Sequence, residues 1–188
     1  MKYVITVFKD DFRALKVGAF PYNYTPLLEY HMHIPDGFMG NWVSSTNHSS
    51  WRMKECPAWN VLIEGNENNK VLEQATIQNK GLPTLTAGDE HWADMEISCS
   101  FKPLAITGPI AVLFRYQTSR QYYAFWYRDK KIQLILRNDA EFKVLDEEEC
   151  QLNCDQYHTV KINVDGSKLR VQLGELELTA VDSCFSNG

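Results

Sequence analysis

An arginine interrupts an otherwise apolar segment near the middle of the chain. Arg115 follows Phe114 in the run 108–116, and strict alternation along a strand places it on the face of Leu113, opposite Tyr116. A core face excludes a guanidinium unless the charge is paired. We predict that Arg115 projects from the concave face of a sheet and binds a carboxylate or sugar hydroxyls through its fork of N–H donors. The alternative is an internal ion pair with one of three acids: Glu73, Asp94 or Glu96.

Five aromatic residues crowd the next segment of the chain. Alternation places Tyr122 and Trp126 on one face of a strand and Tyr123, Phe125 and Tyr127 on the other. One of these faces must belong to a hydrophobic core, and the other is available to line a groove. Aromatic rings stack on the apolar face of a pyranose and offer a polar tip. The segment therefore favours a sugar site.

Polar residues within another predicted strand complete the candidate ligand-binding set. Glu73 and Gln74 are adjacent and point to opposite faces, so that one of them can meet Arg115. Glu73 and Asp94 are also candidates for catalysis, because a glycosidase needs two carboxyl groups at ~5–10 Å. The predicted ligand-binding residues are Arg115, Tyr122, Tyr123, Trp126 and Gln74.

A His-x-His pair lies in the amino-terminal region. In an extended strand, His31 and His33 project to the same side, where they could bind a metal together with an acid. They are also candidates for proton transfer in a β-elimination. The alternative is that one ring hydrogen-bonds to a loop carbonyl.

Short strands must position these side chains from residue 58 onward. Runs rich in Val, Ile, Phe and Tyr are separated by Gly, Asn and Asp, and Asp165-Gly166 predicts a hairpin turn. The predicted strands are 58–64, 70–78, 92–102, 109–117, 121–128, 131–137, 141–147, 157–165, 168–173 and 175–181. Helical crossovers are missing from this pattern, which predicts an all-β antiparallel β-sandwich. We expect one domain, in which residues 1–57 contribute an edge strand over 3–8 and wrapping loops around a core of residues 58–188.

Composition excludes several classes of protein. The 188 residues include 44% apolar and 23% charged residues, which is typical of a globular chain. A net charge of −5 disfavours nucleic-acid binding, and no apolar run is long enough to span a membrane. The five cysteines cannot all pair within one chain and lack zinc spacing, so we expect free thiols. The first residues lack an export signal, which predicts a cytoplasmic protein, or a secreted one whose signal has been removed.

The order of the strand motifs resembles a known superfamily. Trp92-Ala93-Asp94-Met95-Glu96 resembles the W-x-D-apolar-E strand of concanavalin-A-like jelly rolls. The segments 108–116, 120–125 and 158–171 are similar to the G-x-x-G-ϕ-ϕ-F-R strand, the Tyr-rich strand and the carboxy-terminal hairpin that come after it in the family. Over residues 58–188 the chain resembles the laminin-G-like and 3-keto-disaccharide hydrolase branch of the concanavalin-A-like lectin/glucanase superfamily.

The resemblance implies a jelly roll that binds carbohydrate, as an accessory domain of a polysaccharide-active enzyme with a further domain beyond Gly188. Asp11 and Asp182 resemble the calcium positions that many sugar-binding sandwiches have near their termini. One alternative is a glycoside hydrolase or polysaccharide lyase acting on an oxidised or acidic sugar. The third acid of the glucanase pattern E-x-D-x-x-E is missing after Asp94 and Glu96, which weakens the glucanase interpretation. A protein-interaction sandwich is the second alternative.

Overall fold

The computed structural model describes residues 5–20, 42–44, 59–75 and 83–188. The chain divides into two compact units, an amino-terminal unit of residues 1–88 and a carboxy-terminal unit of residues 89–188. The described residues form strands and turns and contain no helix. Accordingly, none of them belongs to a helix long and apolar enough to cross a membrane. His31 and His33 lie outside the described residues.

Five short strands lie in the part of the amino-terminal unit that the structure describes. They are β1 (Gly18–Phe20), β2 (Val43–Ser44), β3 (Trp59–Ile63), β4 (Lys70–Gln74) and β5 (Leu85–Thr86). Strands β1, β3 and β4 form one antiparallel sheet in the order β1-β3-β4, and β2 pairs with β5. Two of these strands, β3 and β4, fall within predicted strands, whereas β1, β2 and β5 were not predicted.

The start of the chain is held by contacts to side chains. Residues 5–8, the described part of the predicted edge strand, form no strand. Instead, Asp10 accepts hydrogen bonds from Trp42 Nε1 at 2.8 Å and from the Phe12 amide at 2.7 Å. The Nζ atom of Lys70 donates to the Arg13 carbonyl at 2.9 Å. Residues 10–13 are therefore held as a turn against the amino-terminal unit.

Eight strands form the carboxy-terminal unit. They are β6 (Met95–Phe101), β7 (Ile110–Thr118), β8 (Gln121–Arg128), β9 (Lys131–Asn138), β10 (Glu141–Glu149), β11 (His158–Asp165), β12 (Lys168–Leu173) and β13 (Leu176–Val181). Sheet I has the order β10-β9-β8-β7, and sheet II has the order β13-β12-β11-β6. All pairings are antiparallel.

Alternating residue types explain sheet II. In β11 the residues Val160, Ile162 and Val164 are buried, and the polar residues between them are exposed. A strand with this period of two buries one face and leaves the other in water. Asp165 pairs with Lys168 across the predicted turn, in which Gly166 has a φ of +57° that suits glycine.

One hydrophobic cluster fills the space between the two sheets. Sheet I contributes Phe114, Phe125 and Leu134, and sheet II contributes Ile162 and Val171, together with their neighbours. Burial of one face from each sheet in a shared core defines a β-sandwich. The predicted fold class, an all-β antiparallel β-sandwich, is confirmed.

A β-bulge in β10 links the two sheets along one side. Leu134 pairs with Asp146 and Ile135 pairs with Val144, so Leu145 is the extra residue. Asp146 then accepts a hydrogen bond at 2.8 Å from the amide of Thr179, which belongs to β13 of sheet II. The carboxylate therefore bridges the sheets at this side of the sandwich.

A second bulge changes the orientation of the residues at the end of β7. Phe114 pairs with Tyr123 and Thr118 pairs with Gln121, so three residues of β7 oppose one residue of β8. Arg115 lies at the start of this bulge with a φ of +46°. Strict alternation was therefore wrong beyond Phe114: Tyr116 packs with the Leu113 face, contrary to the prediction.

Candidate functional site

The two outer faces of the sandwich differ in character. The outer face of sheet II exposes polar side chains, two pairs of which hydrogen-bond to each other: Arg170 with Glu177, and Asn163 with Glu96 at 3.1 Å. A groove of about 610 Å³ on this face is lined by Asn163, Arg170 and Glu177 and their neighbours on β11, β12 and β13. Such a face is typical of a solvated surface and offers no aromatic platform.

A row of stacked side chains crosses the outer face of sheet I instead. Tyr122 on β8 lies directly opposite Arg137 on β9, and Arg137 lies opposite Phe142 on β10. On the other side of Tyr122, Tyr116 of β7 stacks on its ring, with centroids 6.0 Å apart and planes 15° apart. We call Tyr116, Tyr122, Arg137 and Phe142 the aromatic row. One residue from each of four strands builds it.

Arg137 lies between two rings of the aromatic row. Its guanidinium carbon is 4.8 Å from the centroid of Phe142 and 5.8 Å from that of Tyr122. A guanidinium over an aromatic face is stabilised by the negative potential of that face. Both described hydrogen bonds of Arg137 are long, at 3.4 Å to the Asp139 carbonyl and 3.4 Å to the Tyr122 hydroxyl. The two rings therefore restrain the Arg137 guanidinium more than its hydrogen bonds do.

The aromatic row rests on a buried floor and has an exposed end. Tyr122, Trp126 and Ile135 are 4%, 7% and 4% exposed and pack together with Leu113. Phe142, by contrast, is 52% exposed, although its ring meets that of Trp126 edge-on at 6.0 Å. The surface that a ligand can reach is therefore Phe142 and the neighbouring Arg137, while the buried Tyr122 and Trp126 pack against them.

Polar groups lie farther along the same face of β9 and β10. Glu147 accepts hydrogen bonds from Lys131 Nζ at 2.6 Å and from Gln133 Nε2 at 2.8 Å. The hydrogen bond from Lys131 lowers the pKa of Glu147, and the same bond raises the pKa of Lys131. These groups keep opposite charges at neutral pH and supply hydrogen-bonding atoms beside the aromatic row.

Arg115, the first predicted ligand-binding residue, lies elsewhere and is 2% exposed. Its guanidinium donates to the carbonyls of Ala93 at 3.2 and 3.3 Å, Phe185 at 2.9 Å and Gly166 at 2.7 Å. The nearest carboxylate oxygen, on Asp94, is 3.8 Å away. Because of the bulge, the Arg115 side chain points away from the outer face of sheet I and lies in the end of the sandwich. This geometry favours the internal role that was the alternative to ligand binding.

Tyr123 also points away from the aromatic row. It is fully buried in the core, and its hydroxyl donates to Asp182 and accepts a hydrogen bond from the Phe185 amide at 3.3 Å. Burial is the main cause that raises the pKa of Tyr123, and the hydrogen bond to Asp182 raises it further. The Tyr123 face of β8 is therefore the core face, which leaves Tyr122 and Trp126 as the predicted aromatic residues on the outer face.

The described candidate catalytic residues belong to different units of the chain. Glu73 and Gln74 end β4 of the amino-terminal unit, whereas Asp94 precedes β6 of the carboxy-terminal unit. Asp94 accepts a hydrogen bond from the Gly166 amide at 2.8 Å, as a turn-stabilising group does. His31 and His33 lie outside the described residues. An enzymatic site built from Glu73, Asp94 and the two histidines stays a prediction.

The predicted calcium ligands have other partners. Asp11 pairs with Arg13 at 3.4 Å, and Asp182 accepts bonds from Tyr123 and from the Cys184 amide at 2.9 Å, with Lys143 at 3.9 Å. An ammonium group beside Asp182 opposes a bound cation, and calcium needs six to eight oxygen ligands. In the described ranges, His, Cys, Asp and Glu form no cluster of three suited to a metal. These residues do not fit a calcium site.

Sequence reasoning missed three members of the aromatic row. Arg137 and Phe142 belong to strands that were predicted, and the short turn 139–140 between those strands makes them directly opposite. The short turn was the signal in the sequence that could have indicated this pairing, because a two-residue hairpin fixes which residues lie opposite one another. Tyr116 was assigned to the wrong face, since nothing in the alternation indicates the bulge in β7.

Comparisons with known proteins add little to this picture. No protein-family model matches the chain, and no curated protein matches it either. One solved structure with a similar fold is titled carbohydrate binding module CBM66 from Bacillus subtilis, with 17% sequence identity and a TM-score of 0.47. The similarity covers 51% of this chain and 63% of that structure's chain. At this level of similarity we draw no functional conclusion from it.

Proposed function

We propose that the protein binds carbohydrate on the outer face of sheet I, at the exposed end of the aromatic row. The observation that carries this proposal is the exposed Phe142 ring, 52% accessible, beside a guanidinium that stacks on it at 4.8 Å. Sugar sites combine a flat apolar platform with a few hydrogen-bonding groups that fix orientation. In the carboxy-terminal unit the solvated face of sheet II lacks such a platform among its described residues.

The geometry suggests how a sugar would be held. The apolar face of a pyranose would lie on Phe142, and its hydroxyl groups would meet Arg137. Gln133 and Glu147 pair with each other about 13 Å farther along the same face, where they would meet another sugar of an oligosaccharide. Tyr122 and Trp126 would act as support, because their exposed fractions are too small to provide a platform. The arrangement needs no general acid or base, so it suits a binding domain. The motif order of residues 58–188 supports membership in the concanavalin-A-like superfamily and a role as an accessory domain of a polysaccharide-active enzyme.

The test compares two exposed aromatic residues of the carboxy-terminal unit. Phe142 is 52% exposed with Arg137 over its ring, and Tyr157 is 53% exposed with Lys102 over its ring at 5.2 Å. We would screen the wild-type chain on a glycan array, titrate each positive glycan, and repeat the titration with Phe142→Ala and Tyr157→Ala.

We expect Phe142→Ala to weaken binding about five- to thirtyfold, because loss of a stacking ring costs on the order of 1–2 kcal/mol. Tyr157→Ala should bind as the wild type does. Equal loss in both variants, or loss in Tyr157→Ala alone, would move the site away from the aromatic row. Failure of the wild type to bind any glycan would refute carbohydrate binding.

A further inference from the structure

The hydrogen-bonding capacity of Arg137 is mostly unused. A guanidinium carries five N–H donors, and two of them reach partners, both at the outer limit of 3.4 Å. Among the described residues no carboxylate lies within 4.0 Å of this side chain. Three N–H groups therefore remain available at the edge of the guanidinium plane.

Three of the four other arginines of the carboxy-terminal unit already have partners. Arg170 pairs with Glu177, and Arg128 pairs with Asp129 at 3.1 Å. Arg115 is buried and donates hydrogen bonds to backbone carbonyls. Glu147, an acid farther along the outer face of sheet I, is bound to Lys131 and Gln133. Arg137 thus lies next to an exposed aromatic platform with its positive charge uncompensated by a described neighbour.

Stacking makes the guanidinium ready to bind. Because Tyr122 and Phe142 flank it, its plane is fixed before a ligand arrives, and less side-chain entropy is lost on binding. A planar fork of donors matches the two oxygens of a carboxylate in a bidentate arrangement. Neutral hydroxyl groups would use only part of this capacity.

We infer that the ligand is an acidic sugar, a uronate residue, whose carboxylate binds the edge of the Arg137 guanidinium while its ring lies against Phe142. This inference rests on the proposed carbohydrate binding and names the class of sugar. Residues opposite one another on antiparallel strands have Cβ atoms about 5 Å apart. The carboxylate of a uronate is bonded directly to its ring, so a ring lying against Phe142 would place that carboxylate next to the Arg137 guanidinium, which is 4.8 Å from the Phe142 centroid.

The test distinguishes what the carboxylate of the ligand contributes to binding from what its sugar ring contributes. We would titrate the wild type, Arg137→Gln and Arg170→Gln with oligogalacturonate and oligoglucuronate, and with the same oligomers after methyl esterification. Arg170 is the matched control, because it is an exposed strand arginine of sheet II. For the wild type we expect esterification to weaken binding at least about tenfold. Arg137→Gln should lose a similar factor for the acid form and little for the ester, and Arg170→Gln should match the wild type.

The outcomes separate this inference from the proposed function. Equal wild-type affinity for acid and ester, or equal loss of both in Arg137→Gln, would refute the uronate inference and leave carbohydrate binding intact. Stronger binding of sulfated oligosaccharides than of uronates would also refute it, in favour of sulfate. If no oligosaccharide of any kind binds, both proposals fail. If Arg137→Gln does not fold, the acid and ester comparison on the wild type decides the inference alone.

Discussion

Replacing Arg115 by methionine should destabilise the protein strongly although it removes no apolar surface. Methionine fills the space of the arginine stem but cannot donate to Ala93, Phe185 or Gly166. Each carbonyl left without its donor in a partly buried site costs about 1 kcal/mol, for a total of about 3 kcal/mol. For a chain of this length that loss lowers the melting temperature by about 6–12 °C.

The variant Arg115→Lys should lose nearly as much stability. Lysine keeps the charge, but an ammonium group cannot reproduce a planar fork that spans three carbonyls. Arg128→Met is the control, since Arg128 is 62% exposed and pairs only with Asp129 among the described residues, and a surface change of this kind shifts stability by less than about 0.5 kcal/mol. Thermal melts followed by circular dichroism give the comparison. If both Arg115 variants melt within about 2 °C of Arg128→Met, the guanidinium does not hold the end of the sandwich together.

Two further predictions concern groups that join distant parts of the carboxy-terminal unit. The folded state raises the pKa of Tyr123 above its ordinary value near 10, so its contribution to stability is complete below about pH 10 and is lost as the pH rises further. Melts between pH 8 and 11 should show a smaller alkaline loss of stability in Tyr123→Phe than in the wild type, and equal losses would contradict this. Asp146→Ala removes the acceptor of the Thr179 amide and should lower the free energy of unfolding by about 1–2 kcal/mol, as measured by urea denaturation. An unchanged denaturation midpoint would show that water replaces the carboxylate there.

The regular strands could be predicted from the sequence because alternation and turn residues are local signals. Strand 121–128 and strand 168–173 have the predicted bounds, and the Asp165-Gly166 turn has the predicted hairpin. Irregular features could not be predicted in this way. The bulge after Phe114 reverses the expected faces of Arg115 and Tyr116. The carbonyls that Arg115 meets there come from segments distant in the chain, so the local pattern does not reveal them.

The candidate site was predictable only in part. Tyr122 and Trp126 lie on the outer face of sheet I, but the sequence alone could not tell which face of 121–128 belongs to the core. Both faces of that strand are apolar, so its periodicity is uninformative. Arg137 and Phe142 become neighbours through pairing between strands, and each looks unremarkable in its own strand.

The strand order also has a consequence for how this unit folds. In the carboxy-terminal unit, five of the six pairings join strands that are consecutive in the chain, and the pairing of β6 with β11 joins distant segments. The hairpins can form within microseconds, whereas closing the long loop between Phe101 and His158 costs roughly 3–4 kcal/mol of chain entropy. Strand β6 should therefore dock late. Until it does, one edge of β11, the strand that carries Val160, Ile162 and Val164, has unpaired backbone groups. Such an open edge exposes a newly made chain to aggregation.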